Sequence, residues 1–313
     1  MEKRYLFGPV PSRRLGLSLG IDLVPLKTCS LNCVYCECGR TTRLTVARKE
    51  YVPVDKVLEE LDRFIRGNPR LDYITFAGSG EPTLHLHIDR VIAHLKKHYP
   101  QYPLALLTNG TLFSSAHLRT QVKELDLIIP SLDAATEEVF RKVNRPHPAL
   151  HCAEVISGLI DLRREYHGEI CLEIFIAPGL NDSAAELAAI KTTIEKINPD
   201  RIQLGTLDRP GAESWVREAS PERMKEITAF LGGSTELIKE PDPGTKAFHI
   251  DADFRETILQ TLRRRPCTVE DLSRISGVHQ AEVQKYLRHL LSKGQIEMER
   301  RKRGTFVKIK NLP

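Results

Sequence analysis

Cys29, Cys33 and Cys36 stand at C-x3-C-x2-C spacing in the run Cys29-Ser30-Leu31-Asn32-Cys33-Val34-Tyr35-Cys36, directly after the apolar run Ser18 to Val24. Offsets of four and three residues let one compact loop turn three sulfurs toward one point, and thiolates are the soft ligands that iron–sulfur clusters select. Zinc sites usually pair one C-x2-C with a second Cys or His pair downstream, and none follows here. A [4Fe–4S] cluster on three thiolates keeps one iron open to a substrate or cofactor, which points to chemistry rather than simple electron carriage. Cys38 reads as a nearby free thiol; as a fourth ligand it would close that iron. A zinc knuckle or a chance group of cysteines is the plain alternative.

Other polar candidates fall where strands should end. Leu71 to Ala77 is β-branched and aromatic, and it runs into Gly78-Ser79-Gly80-Glu81-Pro82-Thr83. Glycines there let backbone approach a ligand, and Glu81 can receive an ammonium. Leu104 to Gly110 predicts a strand with Asn109 at its carboxyl end. Leu125 to Leu132 predicts another, whose end presents Ser131 and Asp133, groups able to hydrogen-bond ribose hydroxyls. Asp133 is equally suited to cap a helix starting near Ala134, with Glu137 or Glu138 in its first turn. Arg13 and Arg14 close a turn-rich segment that starts at Phe7, before the first strand; they could meet an anionic substrate or lie as a surface pair. Arg145 is a substrate-contact candidate in a loop broken by Pro146 and Pro148. His85 and His87 lack further ligands and read as surface or core-edge histidines.

The elements that must position these groups repeat. Pro53 to Arg66, Ile88 to His98, Ser183 to Ile197 and Ser220 to Leu231 predict helices. Ile170 to Ala177 and Arg201 to Leu207 predict two further strands, the second leading to Asp208 and Arg209. Six βα repeats are legible, too few strands for a closed eight-stranded barrel, and ligand groups in the loops after parallel strands match the rule for α/β folds.

With Tyr35 preceding the third cysteine, the loop resembles the signature of the radical S-adenosylmethionine (radical SAM) superfamily. That resemblance implies a partial (βα)6 barrel holding a [4Fe–4S] cluster on Cys29, Cys33 and Cys36. It also implies S-adenosylmethionine on the open iron, cleaved to a 5′-deoxyadenosyl radical after an electron arrives from a donor. Gly78, Ser79, Gly80 and Glu81 would then meet the methionine end; the superfamily's Gly-Gly-Glu loop is Ser-Gly-Glu here. Tyr35, Asn109, Ser131 and Asp133 would lie around the nucleoside. The runs FAGSGEPTL, SLDAATEEVF and NRP resemble a branch related to the wyosine-forming tRNA enzymes, whose flavodoxin-like domain is absent.

At 313 residues one large and one small domain are expected, divided as 1–240 and 251–313 by a linker at 241–250. The tail carries the chain's basicity: residues 251–313 hold 14 Lys and Arg against 8 Asp and Glu, whereas residues 1–250 hold 32 against 33. Three helices and two strands there look like a small α+β winged helix-turn-helix, with Arg300 to Arg303 at the wing tip and Gln280, Gln284, Lys285 and Arg288 facing outward on the third helix. Such a module could dock a nucleic acid or a protein. Cys152, Cys171 and Cys267 read as packing residues. No apolar run reaches membrane-spanning length and Met1 to Pro11 has no apolar signal core, so a cytoplasmic protein is expected. The competing function is an iron–sulfur or metal-sensing DNA-binding regulator, with the basic wing as its support.

Overall fold

The computed structural model describes residues 5–238 and 254–310; the expected linker, 241–250, lies outside them. Leu6–Ser12 forms β1 and Gly16–Ile21 forms β2, and the short strands Thr28–Cys29 (β3) and Arg43–Leu44 (β4) flank the cysteine loop. Next come α1 (Val54–Ile65), β5 (Tyr73–Phe76), α2 (Ile88–His98), β6 (Leu104–Thr108), α3 (Ala116–Gln121) and β7 (Leu127–Pro130). The alternation continues through α4 (Glu137–Val143), α5 (Cys152–Glu165), β8 (Glu169–Ile176), α6 (Ala184–Ile197), β9 (Arg201–Thr206), α7 (Pro221–Leu231) and β10 (Thr235–Leu237).

Eight of these strands form one sheet in the order β1-β2-β5-β6-β7-β8-β9-β10. It is parallel from β2 to β10, and β1 alone runs antiparallel, beside β2. The six expected strands are all present in sequence order, but one strand is added at each edge. Pro9 and Pro11 disguise β1 as turn; an edge strand tolerates proline because one side of it has no ladder to donate to.

Alternation along the strands gives the sheet two apolar faces. Leu104 and Leu106 of β6 join Leu19, Ile74, Ile128, Leu172 and Leu204 against the helices, where α1 buries Val54, Val57, Leu61 and Ile65. The opposite face carries Ala105, Leu127, Ile129 and Cys171, a smaller cluster beneath the carboxyl ends of the strands. Helix starts follow the chain's own chemistry: Ser115, Ser183 and Ser220 each accept the backbone N–H three residues on. Helix α4 starts three residues later than the sequence implies, with Thr136 at its N-cap, so Asp133 does not cap it.

The C-terminal unit comprises α8 (Phe254–Arg264), α9 (Val269–Ser276), α10 (Gln280–Ser292) and the antiparallel hairpin β11 (Ile296–Arg301) and β12 (Gly304–Ile309). It has its own core, built on Ile258, Leu262, Leu272, Val283, Leu287 and Val307. A Thr268–Asp271 capping box starts α9 and Gly277, at φ 66°, ends it. Arg301 pairs with Gly304, so the hairpin turn is Lys302-Arg303 and the strands run further than the expected wing loop allowed. Among the described residues no helix is long and apolar enough to cross a membrane.

Candidate active site

A cavity of about 1160 Å3 opens at the carboxyl ends of the parallel strands. It gathers Cys29, Cys33, Tyr35, Cys36, Gly78, Gly80, Glu81, Asn109 and Ser131 from the sequence-derived set, with Arg13, Arg14, Asp208 and Arg209; Ser79 and Asp133 do not line it.

The three thiols face donors. Asn109 Nδ2 lies 3.5 Å from Cys29 Sγ, Asn144 Nδ2 lies 3.5 Å from Cys33 Sγ, and Lys27 Nζ lies 3.2 Å from Cys36 Sγ. Donors aimed at sulfur favour thiolate over thiol and tune a cluster bound through it. Burial, followed by the nearby Glu81 carboxylate, pushes the Cys29 thiol up to about 12. Cys36 is pulled the other way by a hydrogen bond from Cys38, against burial and with help from Lys27. Among the described residues no three His, Cys, Asp or Glu side chains converge on a single-ion site. Three thiols on one loop, each with an N–H donor beside its sulfur, are the soft donor set that iron–sulfur clusters take. The donor set therefore fits an iron–sulfur cluster.

Glu81 ties the loop after β5 to the end of β6. Its Oε1 accepts from the Thr83 backbone N–H and from the Thr83 and Thr108 hydroxyls, and its Oε2 accepts from Asn109 N at 2.8 Å. Burial raises its pKa, against those hydrogen bonds. The glycines beside it are needed for packing as much as for any ligand: a Cβ on Gly80 would overlap the Thr28 carbonyl, and one on Gly78, at φ +150°, the Asp22 carboxylate. Ser79, the departure from Gly-Gly-Glu, turns away and donates from Oγ to Asp22 Oδ2 at 2.9 Å. A serine is tolerated because its hydroxyl has that partner.

Asp133 is the main revision. It is buried, its Oδ1 accepts from Phe175 N at 2.9 Å, and its Oδ2 accepts from Asn144 Nδ2 at 2.7 Å and from the Tyr35 hydroxyl. With both oxygens engaged inside the protein, it orients Tyr35 and Asn144 instead of presenting itself to a ribose. Tyr35 stacks on Phe175, ring centroids 3.8 Å apart. Arg145 is also redirected: it pairs with Glu213 at 2.5 Å and is absent from the cavity lining. His85 is buried and bonded to the Val52 carbonyl oxygen at 2.9 Å, as a core-edge histidine should be. Cys152, Cys171 and Cys267 are buried and free.

The C-terminal unit roofs the cavity. Asp271 accepts from Arg209 and Arg303, each at 2.7 Å, Arg303 also approaches Asp208 at 3.3 Å, and Arg264 approaches Asp22 at 3.5 Å. Arg264 lies over the Phe7 ring, 4.7 Å from its centroid. Arg303 is therefore turned inward, and Arg301, paired with Glu299 at 2.5 Å, also lines the cavity. Two of the four wing cations, Arg301 and Arg303, are thus taken up by carboxylates, whereas Arg300 and Lys302 stay exposed; the regulator reading finds no support. The outer face of α10 is exposed as expected, at Gln280, Gln284, Lys285 and Arg288.

The sequence profile of the radical SAM superfamily matches residues 23–189, a span that includes all three cysteines and Glu81. The chain belongs to the radical SAM superfamily. Its members are enzymes that typically bind a [4Fe–4S] cluster and S-adenosylmethionine, and this chain is one of them. A UPF0026 protein of Methanocaldococcus jannaschii is 33% identical over 74% of this chain and 71% of its own length. A UPF0026 protein of Helicobacter pylori strain J99 is 30% identical over 94% of both. A protein of Brachyspira hyodysenteriae named GTPase Obg is 34% identical over 96% of this radical SAM chain, which spans only 44% of that relative's length. Among solved structures, a radical SAM methyltransferase from Sphaerobacter thermophilus superposes with a TM-score of 0.52 at 18% identity, over 70% of this chain and 66% of the other. SuiB of Streptococcus suis, bound to S-adenosylmethionine, does so with a TM-score of 0.52 at 12% identity, over 69% and 49%. These likenesses establish the shared α/β fold.

Sequence reasoning alone misses Lys27, Asn144, Phe175 and Asp22. Lys27 is buried at φ 59°, an uncommon conformation for a lysine, and no local pattern marks it. Asn144 sits in the NRP run, which stands out for its resemblance and not for its amide.

Proposed function

We propose that this chain reductively cleaves S-adenosylmethionine, with Cys29, Cys33 and Cys36 as the thiolate ligands of a [4Fe–4S] cluster. When bound, the cluster and S-adenosylmethionine supply a one-electron opening of the sulfonium that yields a 5′-deoxyadenosyl radical. The chain's own residues hold and shield. Asn109, Asn144 and Lys27 direct N–H donors at the sulfurs. Glu81 fixes the loop of Gly78 and Gly80 against β6, leaving backbone groups to receive the methionine end. Tyr35, held by Asp133 and stacked on Phe175, offers a rigid wall for the nucleoside, beside Ser131. A roofed cavity keeps a reactive carbon radical from solvent and from unintended C–H bonds.

The observation that carries the reading is the placing of three donor-facing thiols on a large cavity at the carboxyl ends of a parallel sheet. Residues 1–240 form, on this reading, a partial (βα)6 barrel with one strand added at each edge. Residues 251–313 form a winged helix-turn-helix whose α10 face meets a macromolecular partner, and 241–250 join them. Kinship with the wyosine-forming branch rests on the runs around Glu81, Asp133 and Asn144. Anaerobic reconstitution tests the reading: about four irons per chain and 5′-deoxyadenosine on reduction with S-adenosylmethionine are expected. A fully loaded cluster that leaves S-adenosylmethionine intact overturns it.

A further inference from the structure

The roof is polar where it meets the cavity. Thr257, Gln260, Thr261 and Arg264 recur on one face of α8 and line the cavity, whereas Ile258 and Leu262 pack into the unit's own core. A helix that only closed the sheet from above would turn apolar side chains to it.

Among the described residues its charge has a single sign. Arg264, Arg265, Arg301, Lys302 and Arg303 line the cavity, and no described acid of the C-terminal unit does. Asp22, Glu299 and Asp271 answer Arg264, Arg301 and Arg303, at 3.5, 2.5 and 2.7 Å. Among the described residues Arg265 and Lys302 have no carboxylate within ion-pair distance and no side-chain hydrogen bond; Glu37 attracts Arg265 and Glu222 attracts Lys302 only from further away. Arg264 Nε is buried without an acceptor, and so is Arg14 Nε on the sheet side. A buried N–H with no acceptor is costly, and a ligand oxygen in the cavity is one way to complete it.

We propose that the substrate carries an oxyanion, a phosphate or a carboxylate, which the cation-lined roof, Arg265 and Lys302 foremost, receives. The proposal deepens the radical-enzyme reading and rests on it for taking the cavity as the place of reaction. A guanidinium offers paired donors that match either oxyanion, and an ammonium adds a point charge. The two are distinguishable by charge density and shape.

The test is calorimetric titration of the reconstituted full chain with inorganic pyrophosphate and, separately, with citrate. Saturable binding of either probe is expected, and the tighter one names the oxyanion. Arg265→Met and Lys302→Met should each weaken that probe by about tenfold or more, and Arg265→Lys should restore part of it. Unchanged thermal midpoints show that the variants fold. No saturable binding of either probe up to about 10 mM, or equal affinity in the Met variants, overturns the proposal. 5′-Deoxyadenosine formation by the unaltered protein in the same preparation tests the radical assignment separately, so the two failures are told apart.

Discussion

The two walls of the cavity are built on different principles. On the sheet side, charge is of both signs and locked: four arginines and six carboxylates line it, and the central acid, Glu81, has both oxygens bonded to strand-end groups. On the C-terminal side, among the described residues, five cations and no acid line it, on the long, rotatable side chains at the end of a helix and at a hairpin turn. Chemistry that must hold a cofactor within fractions of an ångström is placed on backbone that cannot shift. Recognition of the molecule acted upon is left to side chains that can adapt, on a separately cored unit docked over the top.

The sharpest way to break this comparison is at the sulfurs. Cys29→Ala, Cys33→Ala and Cys36→Ala should each abolish 5′-deoxyadenosine formation and remove most of the iron, because a cubane on two thiolates lacks an anchor. Cys38→Ala should retain iron and sulfide at the level of the unaltered chain. Loss of the cluster in Cys38→Ala, read by iron content and visible absorbance, would make the site four-thiolate and close the open iron.

The seam between the walls comes next. Asp271 faces two guanidiniums in a nearly dry interface, where Arg209 is 5% exposed. Burial alone would raise its pKa; Arg209 and then Arg303 outweigh it and hold Asp271 down to about 2. A carboxylate depressed below its ordinary value near 3.8 stabilises the folded form fully above that value, and the contribution fades as pH falls toward about 2. Asp271→Ala at neutral pH removes the nearest carboxylate from both arginines and leaves them the longer pairs with Asp208 and, for Arg209, Glu37, an expected cost of about 1.5–3 kcal/mol in the attachment of the unit. Hydrogen exchange should show α9 and the hairpin losing protection while β5 to β8 keep theirs. In the unaltered chain the same loss should appear on acidification below about pH 4.

A smaller effect separates packing from ligand contact on the sheet side. Gly80→Ala sets a methyl against the Thr28 carbonyl and Val24, next to the ligand loop. Overpacking of this kind costs about 1–3 kcal/mol. A lowered thermal midpoint already present in the cluster-free protein is expected. A midpoint unchanged without the cluster, with S-adenosylmethionine binding alone impaired, would mean that the glycine serves the ligand.

How much of this is legible in the sequence follows from how local each cause is. The six parallel strands and the helix starts at Ser183 and Ser220 depend on residues a few positions apart, and they read correctly. Strand β1 is hidden because two prolines mask an edge strand whose partner alone makes it one. Asp133 and Arg145 read as ligand-facing because their true partners, Tyr35 and Glu213, lie 98 and 68 residues away. The wing arginines mislead for the same reason, since Asp208 and Asp271 stand opposite Arg303 only after the unit docks. Long-range ion pairs leave no periodic trace.

The weakest expected effect probes the other face of the C-terminal unit. Helix α10 turns Val283, Leu287 and Leu290 inward and leaves Gln284, Lys285 and Arg288 exposed, on the side away from its own core. Lys285→Glu with Arg288→Glu should move the thermal midpoint little, since exposed substitutions of this kind stay within about 0.5 kcal/mol. If that face docks an RNA or DNA strand, the pair should weaken binding and flatten its salt dependence, with the slope falling by roughly one unit for each phosphate that the variant no longer neutralises. If neither quantity changes, the unit has one working surface rather than two, and its basic residues serve the cavity alone.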